Sequence, residues 1–401
     1  MYQYEQLGKV AKIQNGYAFK SSDFCVNGEY PIIKIKNIID SRIDLSNCDY
    51  IEYPHESLNQ FKIKYNDILI SMTGSKASQP NSAVGKIGRM RIKDKICFLN
   101  QRVGKIEVLD EKKTNLQFLY YFLNRKEINI LLANAASGSA NQANISASQI
   151  LKLDVPMVSK STQDKIVSIL YPIDCKIEKN NEEISIWKEI VYDLYIERFI
   201  NVIREPDSEW VKSTVYDNIQ EVKEKNIVEN NYPVLSVVKE GEFKASEDVF
   251  TKQVYSKNTK NYKIVRRNQV AYNPARANIG SIAMLKEYDI GLVSPIYTVF
   301  EMKDTITPTF FYYYMKQPIF QKMIKHHAIG TTRQNFPFEA FKMFPMVVPP
   351  MELQLKFEEI AKPIEQKIAK LKEENEVLAE IRDTLLHKLM SGELPVEVGE
   401  N

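Results

Sequence analysis

The chain has 401 residues, of which 44% are hydrophobic and 26% are charged, and its formal net charge is +3. The length predicts at least two domains, and the composition is typical of a soluble globular protein without a membrane span. The first residues, MYQYEQLGKV, lack the basic-then-apolar pattern of an export signal, and the four cysteines form no C-x-x-C pair. We therefore expect a cytoplasmic protein with reduced thiols.

The first half of the chain consists mainly of short β-branched runs broken by Gly, Pro and Asn, which predict strands. Tyr30–Ile35 and Val84–Ile87 are clear examples. Leu116–Ala133 is predicted as an internal helix whose aromatic face packs in the core. The half ends with a polar segment, GSANQANISASQILKLDVPMVSKSTQ, whose last residue is Gln163.

The second half repeats this plan. A strand-like run recurs at Tyr232–Val237 and the aromatic segment recurs at Phe310–Met315. The segment GTTRQNFPFEAFKMFPMVVPPMELQ ends at Gln354, which lies 191 positions after Gln163. The offset between the halves drifts from 202 to 191 along the chain, as loop insertions in a duplicated domain would produce. A repeat of this length indicates a duplicated domain, since solenoid units are only tens of residues long.

A long helix is predicted after each domain, because apolar residues recur every seven positions with charged residues between them. Pro172 and Pro363 occupy matching places and are expected to kink or break these helices. Asn180 and Asn375 are polar residues on the predicted apolar stripes, where one buried polar residue can fix the register. The predicted seam between the helices comprises Ile166, Ile173, Ile177, Ile184, Trp187, Leu194, Phe357, Ile364, Ile368, Leu371, Leu378 and Leu385.

The predicted fold class is α/β, in the sense of mixed α+β. Two similar domains, 1–158 and 206–350, are separated by two long antiparallel coiled-coil helices with pseudo-two-fold symmetry. The first helix is assigned to 159–205, and the second helix with a C-terminal tail to 351–401. The helices are expected to be antiparallel because each buries its apolar stripe against the other while the domains lie on opposite sides.

Basic and acidic residues are segregated along the chain. Between Asp248 and Glu287 there are eight basic residues and no acidic one, and the matching region between Asp67 and Asp94 is also free of acids. Such segregation is typical of a surface that binds a polyanion, although an ordinary lysine-bearing surface remains an alternative.

The residue types in these regions suit DNA. Arg, Asn and Gln can bind base edges, while Lys, Ser and Thr suit phosphates. We predict that Lys263, Arg266 and Arg267 contact phosphates and that Arg276, Arg333 and Gln334 contact bases. The full set of predicted DNA-binding residues is Lys76, Arg89, Arg91, Ser139, Asn141, Gln142, Lys263, Arg266, Arg267, Arg276, Asn278, Thr331, Thr332, Arg333 and Gln334.

The sequence gives little support for catalysis. None of the four histidines has metal-ligand spacing with Cys, Asp or Glu, and no G-x-x-x-x-G-K-[ST] phosphate loop occurs. Asn273-Pro274-Ala275-Arg276 is similar to the Asn-Pro-Pro-aromatic motif of amino methyltransferases. It lacks the second proline and the aromatic residue, and no glycine-rich methyl-donor motif precedes it, so it is interpreted as a turn.

The chain resembles, over essentially its whole length, the specificity subunit of Type I restriction-modification systems. The paired segments ending in Gln163 and Gln354 carry this resemblance, as does the terminal run IRDTLLHKLMSGEL from Ile381 to Leu394. Val347-Val348-Pro349-Pro350 also fits. The first half departs from the pattern with Val158-Ser159 at the corresponding place.

The resemblance implies a non-catalytic subunit whose two target-recognition domains each recognise half of a double-stranded DNA target. It also implies two methyltransferase subunits that bind S-adenosylmethionine, and motor-nuclease subunits that use ATP and Mg²⁺. No cofactor, metal or membrane is expected for this chain itself. The alternatives are a coiled-coil scaffold that binds other proteins, an enzyme with an unrecognised site, and a subunit of a system that methylates without cutting.

Overall fold

The computed structural model describes residues 2–25, 28–75, 84–139, 142–202, 209–249, 258–328 and 335–396. The chain divides into two compact units. Unit 1 comprises Met1–Glu178 and Glu376–Asn401, and unit 2 comprises Lys179–Asn375. Each unit therefore contains one globular domain and parts of both long helices, so the division passes through the helices and not at their ends.

Unit 1 contains fifteen strands among its described residues. They are β1 (Gln3–Gln6), β2 (Ala11–Asn15), β3 (Tyr30–Ile33), β4 (Ile38–Ile39), β5 (Arg42–Ile43), β6 (Asp49–Ile51), β7 (Lys62–Ile63), β8 (Ile68–Ser71), β9 (Thr73–Gly74), β10 (Ile87–Arg89), β11 (Cys97–Leu99), β12 (Val103–Val108), β13 (Ser137–Ser139), β14 (Gln142–Asn144) and β15 (Asp154–Met157). The largest sheet has the order β2-β12-β8-β10-β5-β4, and a second sheet has the order β6-β3-β11-β7.

Unit 2 contains ten strands among its described residues. They are β16 (Val211–Thr214), β17 (Ile219–Val222), β18 (Leu235–Val237), β19 (Phe243–Ala245), β20 (Lys263–Arg266), β21 (Val270–Tyr272), β22 (Ile282–Met284), β23 (Ile290–Val293), β24 (Thr298–Met302) and β25 (Pro345–Val348). The sheet β17-β24-β21-β22 has the same order and the same antiparallel pairing as β2-β12-β8-β10 in unit 1. The duplication predicted from the sequence is therefore a duplication of structure.

The described part of the chain contains eight α-helices. They are α1 (Leu116–Leu123), α2 (Lys126–Ala135), α3 (Ala147–Ile150), α4 (Lys160–Tyr195), α5 (Ser246–Val249), α6 (Pro308–Met315), α7 (Pro318–His327) and α8 (Met351–Ser391). Six of them, α1 with α6, α2 with α7 and α4 with α8, occupy matching places in the two halves. The single helix expected over Leu116–Ala133 is instead two helices, because the chain turns to an extended conformation at Arg125, the N-cap of α2.

Each domain closes by pairing its first strand with its last. β1 pairs antiparallel with β15, and β16 pairs antiparallel with β25. This pairing brings the end of each domain back to its start, immediately before α4 in one case and α8 in the other. The aromatic helices α1 and α6 are buried in the domain cores, and each is capped by a side chain, from Asn115 and Thr307 respectively.

The long helices run antiparallel in each unit. In unit 1, Ile166 and Leu170 share a core with Leu386 and Leu389, while Asp174 lies 3.3 Å from Arg382, so the numbering rises along α4 as it falls along α8. In unit 2, Asn180 donates to Asn375 Oδ1 at 2.9 Å, Glu183 pairs with Lys367, and Tyr195 contacts Phe357. The buried Asn180 is thus hydrogen-bonded to the asparagine predicted on the other stripe.

All predicted seam residues lie on the buried or half-buried side of their helices. Four are buried: Ile166, Ile184, Phe357 and Ile368. Eight are half-buried: Ile173, Ile177, Trp187, Leu194, Ile364, Leu371, Leu378 and Leu385. Neither Pro172 nor Pro363 breaks its helix. A proline has no N–H, so the carbonyl one turn before it loses its hydrogen-bond donor. Both prolines are exposed, so that carbonyl lies on the side of the helix that faces water.

Candidate nucleic-acid interface

The candidate interface of unit 1 is one edge of its largest sheet. β2 ends there at Asn15, β8 ends at Ser71, β12 begins at Val103 and β10 begins at Ile87. The connections at this edge carry Tyr17, residues 72–75, residues 100–102 and the hairpin of β13 and β14. We call these residues the loop edge of unit 1.

The loop edge of unit 2 is formed in the same way. β17 ends at Val222, β21 ends at Tyr272, β24 begins at Thr298 and β22 begins at Ile282. The connections at this edge carry Lys223–Lys225, Asn273–Arg276, Ser294–Tyr297 and Asn335.

One hydrogen bond is repeated at the two loop edges and holds the same two connections together. The Ile145 amide donates to Met72 O at 3.0 Å, and the Phe336 amide donates to Pro274 O at 3.0 Å. The donors are 191 positions apart and the acceptors 202 positions apart, the two offsets seen in the sequence repeat. The equivalent glycines Gly85 and Gly280 also share a positive φ, of 87° and 100°.

Four of the predicted DNA-binding residues lie at or next to these edges. Ser139 and Gln142 are exposed on the hairpin of β13 and β14, which β9 extends by pairing with β14. In unit 2, Arg276 is exposed and Asn278 is half-buried in the following turn. Six others lie outside the described residues and remain predictions: Lys76, Asn141, Thr331, Thr332, Arg333 and Gln334.

The prediction that Arg89 binds DNA is wrong. Its side chain is only 2% exposed, and Nη2 donates to Asp174 Oδ2 on α4 at 2.7 Å. The guanidinium carbon also lies 4.5 Å from the centre of the Tyr120 ring. Because β10 is antiparallel to β8, the strand carries Arg89 to the opposite edge of the sheet, where it links the domain to the helix.

Arg91 continues this link and is likewise removed from the set of DNA-binding candidates. Its side chain is 14% exposed, pairs with Glu178 at 2.6 Å and donates to the Tyr171 hydroxyl at 2.6 Å. Unit 2 has a similar link, in which Lys286 pairs with Glu365 of α8 at 3.0 Å and lies over the Tyr312 ring. These basic residues join domain to helix.

The three predicted phosphate contacts differ in their surroundings. Arg266 and Arg267 are about half exposed and pair with Glu224 and Asp289, at 2.8 and 2.7 Å. Exposed pairs of this kind are weak and can be exchanged for a phosphate. Lys263 is half-buried, and its Nζ donates to Tyr297 O at 2.6 Å.

Three exposed basic residues of the loop edges were not among the predicted DNA contacts: Arg102 in unit 1, and Lys223 and Lys225 in unit 2. The spacing of Lys223 and Lys225 was a usable signal. Residues two apart in extended chain point to the same side, so lysines that follow a strand at this spacing present two charges to one surface.

No group of three or more His, Cys, Asp or Glu residues that could hold a metal ion occurs in the described part of the chain. Within the same ranges, none of the helices is long and apolar enough to cross a membrane.

Comparison with known proteins finds similarity to specificity subunits of Type I restriction systems. Residues 2–186 match the family model described as Type I restriction modification DNA specificity domain. The chain is 22% identical to the Type I restriction enzyme MjaIX specificity subunit of Methanocaldococcus jannaschii, over 98% of this chain and 96% of that protein. It is 28% identical to the MjaVIII specificity subunit of the same organism, but this match covers 49% of this chain and 46% of that protein.

A solved structure shows the same fold. The crystal structure of the Type I restriction-modification system S subunit from M. genitalium has a TM-score of 0.58 and 20% sequence identity with this chain. The match covers 97% of this chain and 96% of that one. The fold is therefore shared over nearly the full length of both chains.

Proposed function

We propose that the chain is a specificity subunit of a Type I restriction-modification system and selects the DNA sequence on which the complex acts. Residues 2–186 match the family model, and the MjaIX specificity subunit is 22% identical over 98% of this chain. The observation that carries the proposal is the pair of loop edges. They share strand order and the hydrogen bonds from Ile145 to Met72 and from Phe336 to Pro274. They differ in the side chains that they expose to solvent.

Each unit recognises one half of a bipartite target. Unit 1 presents the polar side chains of Ser139 and Gln142 together with Arg102, while unit 2 presents Arg276 and Asn335. Gln and Asn suit adenine and Arg suits guanine, so each unit has groups for both bases. The arginines follow different strands, Arg102 before β12 and Arg276 after β21, so the two units favour different sequences. Two scaffolds in one chain then give two half-sites, with unread base pairs between them.

The partners are two copies of a methyltransferase subunit. Each long helix exposes an apolar pair at i and i+4, Ile186 with Ile190 on α4 and Val377 with Ile381 on α8. The pairs are 191 positions apart, the offset of the repeat, and their side chains are 44–55% exposed. An exposed apolar pair retained at equivalent places in a duplicated chain suits two copies of one partner.

The chain itself is non-catalytic and holds no cofactor in this proposal. S-adenosylmethionine is bound by the methyltransferase subunits, which methylate adenine. ATP and Mg²⁺ are used by motor-nuclease subunits that complete the restriction complex. The role of this chain is to bring those activities to one sequence.

The full chain, purified together with a methyltransferase subunit of a Type I system, tests the proposal by footprinting on random-sequence DNA. The expected result is protection of a bipartite sequence and methylation of adenines within it. A chain that forms salt-insensitive complexes with proteins but leaves no DNA footprint would instead be a scaffold. Methyl transfer by the chain alone would contradict the non-catalytic role.

A further inference from the structure

Two lysines face each other across a strand pairing at the loop edge of unit 2. Lys225 and Lys263 form an isolated antiparallel bridge, so their side chains lie on the same side of the sheet. Like charges placed directly opposite on neighbouring strands destabilise a sheet. The fold therefore maintains an unfavourable pairing at this position.

Nearby acidic residues compensate only part of this charge. Lys223 pairs with Glu221 at 3.1 Å, and the Glu224 carboxylate pairs with Arg266. Lys225 is exposed and has no ion-pair partner among the described residues. Burial lowers the pKa of Lys263, and the positive charges of Lys223 and Lys225 lower it further, against the effect of Glu221.

The scaffold does not require lysines at two of these three places. Strand register puts Asn15 and Tyr17 of unit 1 at the positions of Lys223 and Lys225 in unit 2. The Tyr17 ring lies 5.6 Å from the ring of Phe61, and the next residue, Lys62, corresponds to Lys263. Lys223 and Lys225 are therefore a property of unit 2 and not of the fold.

The cluster also lies beside the residues assigned to base recognition. Lys263 Nζ donates a hydrogen bond to Tyr297 O. Thr298, the residue after Tyr297, pairs with Tyr272 of the neighbouring strand. Asn273–Arg276 follows Tyr272 directly. A phosphate held by the cluster is thus one strand away from the connection that carries Arg276.

We propose that Lys223, Lys225 and Lys263 form a phosphate-binding cluster that binds the DNA backbone next to the half-site of unit 2. The inference rests on the proposed function and adds a site to it. A phosphate between the facing lysines neutralises the repulsion that the free protein retains. Unit 1 has the uncharged Asn15 and Tyr17 at the positions of Lys223 and Lys225, so the two units hold the backbone differently.

Salt-dependent binding of the full chain to DNA tests this cluster. Each lost phosphate contact lowers the slope of log K against log salt by about 0.9. Lys225→Gln is expected to lower the slope by about one such contact, for target and unrelated DNA alike. It is also expected to leave the melting temperature unchanged or raise it, because it removes a like-charge pair.

The matched control is Lys303→Gln, at the opposite end of the same sheet. Lys303 Nζ also donates to a backbone carbonyl, Asp217 O, at 2.8 Å. The proposed cluster is refuted if the salt slope of Lys225→Gln equals that of the unmodified chain. It is also refuted if Lys303→Gln lowers the slope as much as Lys225→Gln does. The unmodified chain could also bind all DNA sequences equally well while Lys225→Gln lowers the slope. That result would support the phosphate-binding cluster and refute the proposal that the chain selects a DNA sequence.

Discussion

Gln163 and Gln354 make the same hydrogen bonds in the two units. Gln163 Oε1 accepts from the Asn115 amide and Gln354 Oε1 accepts from the Thr307 amide, both at 2.8 Å. Each Nε2 donates to two carbonyls, Lys113 and Val158 for Gln163, and Thr305 and Pro349 for Gln354. Each buried glutamine thus ties the cap of the aromatic helix to the first turn of the long helix.

Gln354→Ala is expected to destabilise unit 2 by about 1–3 kcal/mol, because it leaves buried backbone groups without partners. Chemical denaturation of the full chain measures the change. The control is Gln366→Ala on the exposed side of the same helix, for which we expect almost no change. Equal stability of the two variants would contradict the structural role.

Arg89→Met is expected to cost about 1.5–3 kcal/mol, because the buried carboxylate of Asp174 loses its shortest ion pair. It keeps Arg382 at 3.3 Å and the Tyr121 hydroxyl at 2.8 Å. Arg102→Met removes an exposed arginine from the loop edge of unit 1 and should leave stability unchanged while weakening DNA binding. Thermal melts and filter binding separate the two effects. A stable Arg89→Met variant with weakened DNA binding would restore the original assignment.

Arg276→Ala is expected to cost about 1–3 kcal/mol of binding and to relax one base position in a single half-site. Gln142→Ala should do the same in the other half-site. Arg333→Ala tests a predicted base contact outside the described residues. Binding selection on randomised targets gives the result, and a uniform loss for all sequences would indicate a phosphate contact.

Ile186→Asp with Ile190→Asp is expected to remove one methyltransferase subunit from the complex and leave the other bound. Val377→Asp with Ile381→Asp should remove the other. Native mass spectrometry counts the subunits. Ser185→Asp adds a charge on the same helix outside the apolar pair and should retain both subunits, so loss of a subunit from this variant would argue against a local docking site.

One added heptad in each long helix is expected to lengthen the gap between half-sites. Insertion after Asn180 and at its partner Asn375 preserves the facing stripes. Seven residues add about 10.5 Å of helix, or roughly three base pairs at 3.4 Å each. Sequencing of methylated adenines measures the gap, and an unchanged gap with full activity would mean that the helices do not set it.

The duplication and the helix stripes were predictable because spacing alone encodes them. Gln163 and Gln354 could be identified as equivalent residues because they occupy the same place in the two repeats. The role of Arg89 was not predictable, because its basic side chain suits DNA equally well until strand direction places it beside Asp174. The pairing of Lys225 with Lys263 was not predictable for a similar reason, since it depends on contacts between distant segments.

The most direct test of the account replaces the domain of unit 2, residues 209–348, with that of another family member. Adenine methylation is then mapped in cells that also carry the methyltransferase subunit. The account predicts that one half of the methylated motif changes, while the other half and the gap are retained. A change in both halves, or in neither, would contradict the assignment of one half-site to each unit.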